Sequence, residues 1–301
     1  LEFNIQKVQT FIGHKNSVYS LCGGIHKNDF FSVSADKLVV QWDIANSEHG
    51  TPLLKLISSS YAIHFNEQRG LLFVSDNNQA IRVVDLNSKE VINNIPLINK
   101  SVFDILSHDN KLYVCDNLGN LNIYNLDNFE SILSIKMSDK NVRKVIIIKE
   151  TNELAIAFSD FSIKIIDLND YTIKFNLQSH QNSVFSLFFD SENKVLISGG
   201  RDARLIAWDM ANFYKEVHRV PAHLYTINHI EDLKGTPYFA TASLDKTIKI
   251  WEKGSLTLKK VIDRSRFGSH SNSVNRLLWK PQDQVLISTG DDRSILMWKL
   301  F

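Results

Sequence analysis

Short runs of β-branched and aromatic residues, separated by polar turns, succeed one another along the whole chain. The run from Val195 to Ser198, the turn around Arg201 and Asp202, and the run from Leu205 to Trp208 show the unit. No segment carries apolar residues at the 3.6-residue spacing of an amphipathic helix, and the gaps between runs are only a few residues long. The pattern therefore predicts an all-β chain of short strands.

The runs are grouped at a nearly fixed period. Trp-Asp, or a pair in its place, recurs at Trp42-Asp43, Val84-Asp85, Tyr124-Asn125, Ile166-Asp167, Trp208-Asp209, Trp251-Glu252 and Trp298-Lys299, spaced by 40 to 47 residues. The longest spacing is the last. Its excess falls in Lys253 to Ser269, which reads as an extended strand and loop. Four strands per copy make a small sheet, apolar on both faces, that is stable only between neighbours. One domain over residues 1–301 follows, with seven units at about 12–57, 58–97, 98–137, 138–178, 179–220, 221–263 and 264–301. The last unit reaches Trp298 with no chain left for a fourth strand.

Four units also match at internal positions. Gly13-His14, Ser179-His180, Ala222-His223 and Ser269-His270 open them, and each then carries a hydroxyl residue, an Asp and a Trp at fixed offsets. The sets are Ser32, Asp36 and Trp42; Ser198, Asp202 and Trp208; Thr241, Asp245 and Trp251; and Ser288, Asp292 and Trp298. On these residues the chain resembles the WD40-repeat family over essentially its whole length. The resemblance implies a seven-bladed β-propeller, four antiparallel strands per blade, with the N-terminal strand at 3–11 completing the last blade and closing the ring. Closure removes two sheet edges that would otherwise invite aggregation.

His14, Ser32 and Asp36 have the composition of a catalytic triad. In the family, however, these residues join Trp in a buried hydrogen-bonded chain from indole through hydroxyl and imidazole to carboxylate, and four copies of one active site would be odd. Repeats two and three hold Leu56 and Ile98 in the His slot, Val74 and Val114 in the hydroxyl slot, and Val84 and Tyr124 in the Trp slot. Repeat four holds Ser138, Ile156 and Ile166, keeping only Asp160. A network lost as a unit can be replaced by apolar groups at little cost, whereas one missing partner leaves an orphan. Blades two to four are therefore expected to be held by apolar packing.

The resemblance further implies a ligand-binding top face around the central channel. Carried onto matching positions, its inner ring is Tyr19, Tyr61, Phe103, Arg143, Phe185, Asn228 and Asn275, joined by the residues before the turn-Asp slot, Arg201 and Asp291 among them. Aromatics and arginine are the usual anchors of interfaces. The expected ligand is a protein or peptide, an extended segment inserting an aromatic, aliphatic or basic side chain near Tyr61, Phe103 and Phe185, with Asn228 and Asn275 forming a polar side. Two alternatives stand beside this scaffold reading. One is a propeller enzyme with a channel-mouth site, and the other is phosphoinositide or nucleic-acid binding through the lateral basic cluster Lys259, Lys260, Arg264 and Arg266.

Composition narrows these choices. With 34 basic and 33 acidic residues the formal net charge is +1, so no global field favours nucleic acid or anionic membrane. Apolar runs fall far short of the ~20 residues of a membrane span. There is no HExxH, paired CxxC, GxxxxGK[ST] or GxSxG motif, and His26, His64, His108, His218 and His229 stand singly, so no metal and no cofactor is expected. Cys22 and Cys115 fall in different units, which fits a reducing compartment, and the opening residues do not resemble a signal peptide, although the missing Met leaves a removed leader open. A cytoplasmic, monomeric propeller is the expectation.

Overall fold

A computed structural model describes residues 4–300. It contains seven sheets of four antiparallel strands arranged in a ring. Blade 1 comprises Val18–Gly23, Asp29–Ser34, Leu38–Asp43 and Asn46–Lys55. Blade 2 comprises Ile63–Asn66, Leu71–Asp76, Ala80–Asp85 and Glu90–Pro96, and blade 3 Val102–His108, Lys111–Asp116, Asn120–Asn125 and Ser131–Lys136. Blade 4 is built from Val142–Ile148, Glu153–Phe158, Ser162–Asp167 and Ile173–Gln178, and blade 5 from Val184–Asp190, Val195–Gly200, Arg204–Asp209 and Lys215–Pro221. Blade 6 holds Ile227–Asp232, Tyr238–Ser243, Ile248–Glu252 and Leu258–Ile262. Blade 7 holds Val274–Lys280, Val285–Gly290 and Ile295–Leu300, and its outer strand is Ile5–Phe11, paired from Ile5 opposite Leu300 to Phe11 opposite Ile295. Phe3, the first residue of the expected closing strand, lies outside the described residues.

The core is divided among the joints of the ring. Because side chains alternate along each middle strand, one set faces the preceding blade and the other the following blade. In blade 5, Leu196, Ile206 and Trp208 pack with Ala155 and Ile163 of blade 4, while Ile197, Leu205 and Ala207 pack with Ile227 and Phe239 of blade 6. All seven joints carry such a cluster, including the one between blades 7 and 1, where Phe11, Phe30 and Trp42 meet Val285, Ile287 and Ile295. No blade has a core of its own, so each depends on both neighbours.

Inner strands are the channel-side edges of their sheets, with backbone groups that no further strand can pair. Side chains of the preceding blade take up some of them. Asp104 accepts the Val145 N–H at 3.1 Å, Ser186 that of Ile230 at 2.8 Å, His229 that of Leu277 at 3.3 Å and Glu231 that of Trp279 at 3.0 Å.

The long segment between Trp251 and His270 differs from its sequence reading. It forms the strand Leu258–Ile262, but then a single helical turn, Arg264–Phe267, in place of a loop; Asp263 caps it by accepting the Arg266 N–H, and Gly268 ends it in the left-handed region. Cys22 and Cys115 are both free thiols.

Candidate functional site

The four full tetrads hold one geometry. Trp42 donates its indole N–H to Ser32 Oγ at 2.8 Å, Ser32 meets His14 Nε2 at 2.7 Å, and His14 Nδ1 lies 2.8 Å from Asp36 Oδ2. Trp208, Ser198, His180 and Asp202 repeat these distances, as Trp251, Thr241, His223 and Asp245 do within 0.1 Å for the indole bond. Trp298, Ser288, His270 and Asp292 follow at 2.9, 2.8 and 3.0 Å. The indole can only donate, so the hydroxyl accepts from it, and the ionised carboxylate can only accept, so the imidazole donates to it from Nδ1. Burial lowers the His14 and His223 pKa, against the pull of their Asp partners. Burial pushes the carboxylates up, but imidazole and main-chain donors outweigh it, holding Asp36, Asp202, Asp245 and Asp292 low. Each carboxylate also accepts the N–H of the residue after the His, for example Lys15 at 2.8 Å. The hydroxyl residues Ser32, Ser198, Thr241 and Ser288 are fully buried, out of reach of a substrate, and the hydrogen-bonded chain ties a loop to a hairpin turn.

Blades 2 and 3 correct the expectation of purely apolar packing. Each has a buried carboxylate two residues before the vacant turn-Asp slot. Asp76 accepts the N–H groups of Ile57 at 3.2 Å and Ser58 at 2.8 Å, and pairs with Arg82 Nη2 at 2.7 Å. Asp116 accepts from the Leu118 and Asn120 main chain at 3.0 and 2.8 Å and from the Asn122 amide at 3.0 Å, with Lys100 at 3.4 Å. Arg82 and Asn122 lie two residues before the Trp slot, where the tetrad blades 1, 5 and 7 have Val40, Ile206 and Leu296 and blade 6 has Lys249. That paired departure is the signal in the sequence. In blade 4, Ser138 takes the histidine's place and donates to Asp160 at 2.6 Å.

At the channel mouth, where the inner strands begin, seven of the expected ring residues line a single cavity of about 140 Å³: Tyr19, Tyr61, Phe103, Arg143, Phe185, Asn228 and Asn275. The aromatics form a continuous arc. Tyr19 and Tyr61 have ring centroids 5.1 Å apart, Tyr61 and Phe103 stack at 5.9 Å, and the Arg143 guanidinium lies 4.3 Å from Phe103 and 4.9 Å from Phe185. Such cation–π contacts hold the arginine in place. Arg143 Nε also donates to Ser159 Oγ at 2.7 Å.

Other ring residues are engaged in the fold itself. Asn228 donates to Ser273 Oγ and Val274 O, and Asn275 donates to Val18 O and to Asp291 Oδ1, binding blade 6 to 7 and blade 7 to 1. Arg201 is exposed on the top face and does not line the cavity, although its charge acts on Arg143. Two lining residues, Lys144 and Arg276, went unnoticed in the sequence; each directly follows a ring residue. Also unnoticed was an apolar shoulder on blade 6, formed by Leu224, Tyr225 and Leu244, which are 83%, 61% and 45% exposed. Their loops touch, with Leu244 N–H bonded to Thr226 O and Ser243 to Tyr225 O. The signal is an apolar residue straight after His223, where the other tetrad repeats have Lys15, Gln181 and Ser271. The side beyond the aromatic arc is therefore not uniformly polar.

The lateral basic cluster is partly neutralised: Lys259 pairs with Glu252 at 3.1 Å and Arg266 with Asp263 at 2.6 Å. Among the described residues no His, Cys, Asp and Glu group is arranged to hold a metal ion, and no helix is long and apolar enough to cross a membrane.

Comparison with known proteins gives a consistent result. The family model for the WD domain, G-beta repeat, matches residues 5–43, 171–209, 214–252 and 263–299, the stretches that carry the four tetrads. Nuclear distribution protein nudF of Aspergillus niger is 27% identical over 194 residues, covering 57% of this chain and 42% of that protein. Nuclear distribution protein PAC1 of Coccidioides posadasii is 30% identical over 170 residues, covering 50% and 35%. Periodic tryptophan protein 2 of Arabidopsis thaliana is 24% identical over 189 residues, covering 62% and 20%. The matches thus span less than half the length of each of these relatives. Among solved structures, the WD40 β-propeller domain of Doa1 superposes with a TM-score of 0.86 at 16% identity, covering 98% of this chain and 97% of that one, a likeness of fold.

Proposed function

The chain belongs to the WD domain, G-beta repeat family, and from that premise we propose that it is a protein-interaction platform binding a peptide or protein segment over the mouth of its channel. The observation that carries this reading is the aromatic arc from Tyr19 to Phe185, in which Tyr19 packs at a tilt on Tyr61, Tyr61 stacks on Phe103, and Arg143 bridges Phe103 and Phe185. Aromatic side chains bring large contact area at low entropic cost and recur at interface hot spots. Tyr61 is 37% exposed and the cavity beside it opens to solvent, so the arc is available to a ligand. Leu224, Tyr225 and Leu244 add a second apolar contact on blade 6, which suits a partner broader than one side chain.

A non-catalytic role is part of the proposal. The mouth cavity is lined by Tyr19, Tyr61 and Lys144 but by no histidine, cysteine or carboxylate among the described residues, and Lys144 is already paired with Asp104. A cytoplasmic setting is also part of it, supported by the unpaired Cys22 and Cys115. The test is affinity capture with the wild-type chain beside a Tyr61→Ala, Phe185→Ala double variant whose circular dichroism is unchanged. Loss of a captured protein in the variant supports the reading, and unaltered capture moves the site elsewhere.

A further inference from the structure

We propose that the mouth cavity is an oxyanion site, in which Arg276 and Arg143 receive a carboxylate or phosphate group. This rests on the top-face reading and specifies what enters there. Three cations, Arg143, Lys144 and Arg276, line the cavity, and no carboxylate does. The imbalance is local, since the whole chain is close to neutral.

The three cations are not equivalent. Lys144 is already paired, lying 2.9 Å from Asp104 Oδ2. Arg276 is half-buried, and among the described residues its guanidinium makes no hydrogen bond or ion pair, although its charge acts on Glu231, whose carboxyl lines the chamber beneath and is pushed up to about 7 by burial. Its five N–H donors, in a planar fork, suit an oxyanion bound through two oxygens. Lys144 and Arg276 also line the cavity of about 230 Å³ beneath, where Asp104 and Glu231 face them, so the two cations form the floor between the chambers. Arg143 spends its faces on Phe103 and Phe185 and its Nε on Ser159. With the Asn141 amide turned to satisfy both its groups, Nη2 donates to Asn141 at 3.0 Å, which leaves Nη1 for a ligand. Burial, and then the like charge of Arg201, lower the Arg143 pKa, a cost that a bound anion relieves.

This changes the ligand expected from the sequence. A basic side chain entering the mouth would meet the like charges of Arg143, Lys144 and Arg276 with no carboxylate lining that chamber among the described residues, and like charges at such short range repel. An aromatic or aliphatic tip would strip water from Arg276 without replacing its hydrogen bonds. A charge-assisted bidentate pair satisfies it. The cavity of about 140 Å³ has room for one such head group, given ~30 Å³ per water molecule.

The site is tested by titrating inorganic phosphate, and separately glutarate, into the intact chain while following arginine Nε–Hε signals by NMR. Saturable shifts of Arg276 and Arg143 that weaken at least ten-fold in Arg276→Gln, with the melting temperature retained, support the proposal; Arg276→Lys, keeping charge without the fork, falls between. Absent shifts, or shifts equal in wild type and Arg276→Gln, overturn it. The source of the anion is read by selecting a random displayed-peptide library on the wild-type chain. Peptides with Asp or Glu at one fixed position, lost on Arg276→Gln, identify an acidic segment. Peptides that need Tyr61 and Phe185 but no acidic residue overturn the oxyanion site and leave the platform reading standing. No peptide needing Tyr61 and Phe185, with phosphate still binding, supports the oxyanion site for a free anion and sinks the platform reading.

Discussion

Blade 5 and blade 2 do the same mechanical job with different chemistry. Both must tie the loop entering the blade to the turn between its middle strands. Blade 5 uses a relay of Trp208, Ser198 and His180 that ends on the Asp202 carboxylate, which also accepts the Gln181 N–H. Blade 2 uses one carboxylate, Asp76, that takes two loop N–H groups directly and is balanced by Arg82. What the fold requires is a satisfied acceptor beneath the loop; the histidine relay is one way to supply it. The difference lies in how the two should fail, because removing the charged member of a buried ion pair costs more than removing one neutral donor from a relay.

The largest effect tests the ring that both blades share. Removing residues 1–11 takes Ile5 and Phe11 from the core and exposes the strand Ile295–Leu300 along its length. Each buried apolar side chain contributes about 1.5–3 kcal/mol, and no joint has a core to spare, so the cooperative melting transition should be lost or shifted down for all blades together. An unchanged transition would sink the idea of closure. Next, Asp76→Ala should cost about 3–5 kcal/mol, since it strands Arg82 and two N–H groups, read as a lower denaturant midpoint. Trp208→Phe leaves the Ser198 and His180 relay intact but without its donor, and should cost about 1–3 kcal/mol. If it costs more than Asp76→Ala, the contrast between the two chemistries is wrong.

A smaller effect separates the blades by pH. The native state holds His14 and His223 below their usual value, so on acidification the unfolded chain takes up these protons first. Their contribution is complete above ~6.5 and is withdrawn as pH falls from there towards the native values. His64, held at about 4 by burial, and His229 act in the same direction. The melting temperature should therefore fall between pH 7 and 5, less steeply in His223→Asn; an equal slope removes the tetrad from the account. The smallest change is expected in blade 4, where Ser138→Ala deletes two exposed bonds, to Asp160 and from the Lys140 N–H, and should cost about 0.5–1.5 kcal/mol by chemical denaturation.

The repeat, the ring closure and the tetrads were legible because they are written as residue types at fixed offsets. Trp42, Trp208, Trp251 and Trp298 mark one strand position in four blades, and Val84, Tyr124 and Ile166 still mark it by period alone. The mouth residues could be located because each stands at the same place in its inner strand. The substitutes were harder to see. Asp76 and Asp116 do the work of a tetrad Asp from a position two residues away, and only the strand pairing, Val74 opposite Arg82 and Val114 opposite Asn122, shows what each can reach. Arg276 was unreadable for another reason. Its importance lies in a guanidinium with no hydrogen-bonded partner among the described residues, and that depends on what every neighbouring blade presents to it.

The pairing of Ile5–Phe11 with Ile295–Leu300 also sets an order in time. The strand Ile5–Phe11 finds its partner only after some 280 further residues have been added. At ~5–20 residues per second that is a wait of about 15–60 s. Throughout it the first strand has no sheet to join, while blades 1 to 6 can stack one by one behind it. The joint between blades 7 and 1 must then form last, across the longest separation in the chain, and it converts an open stack of sheets into a closed ring.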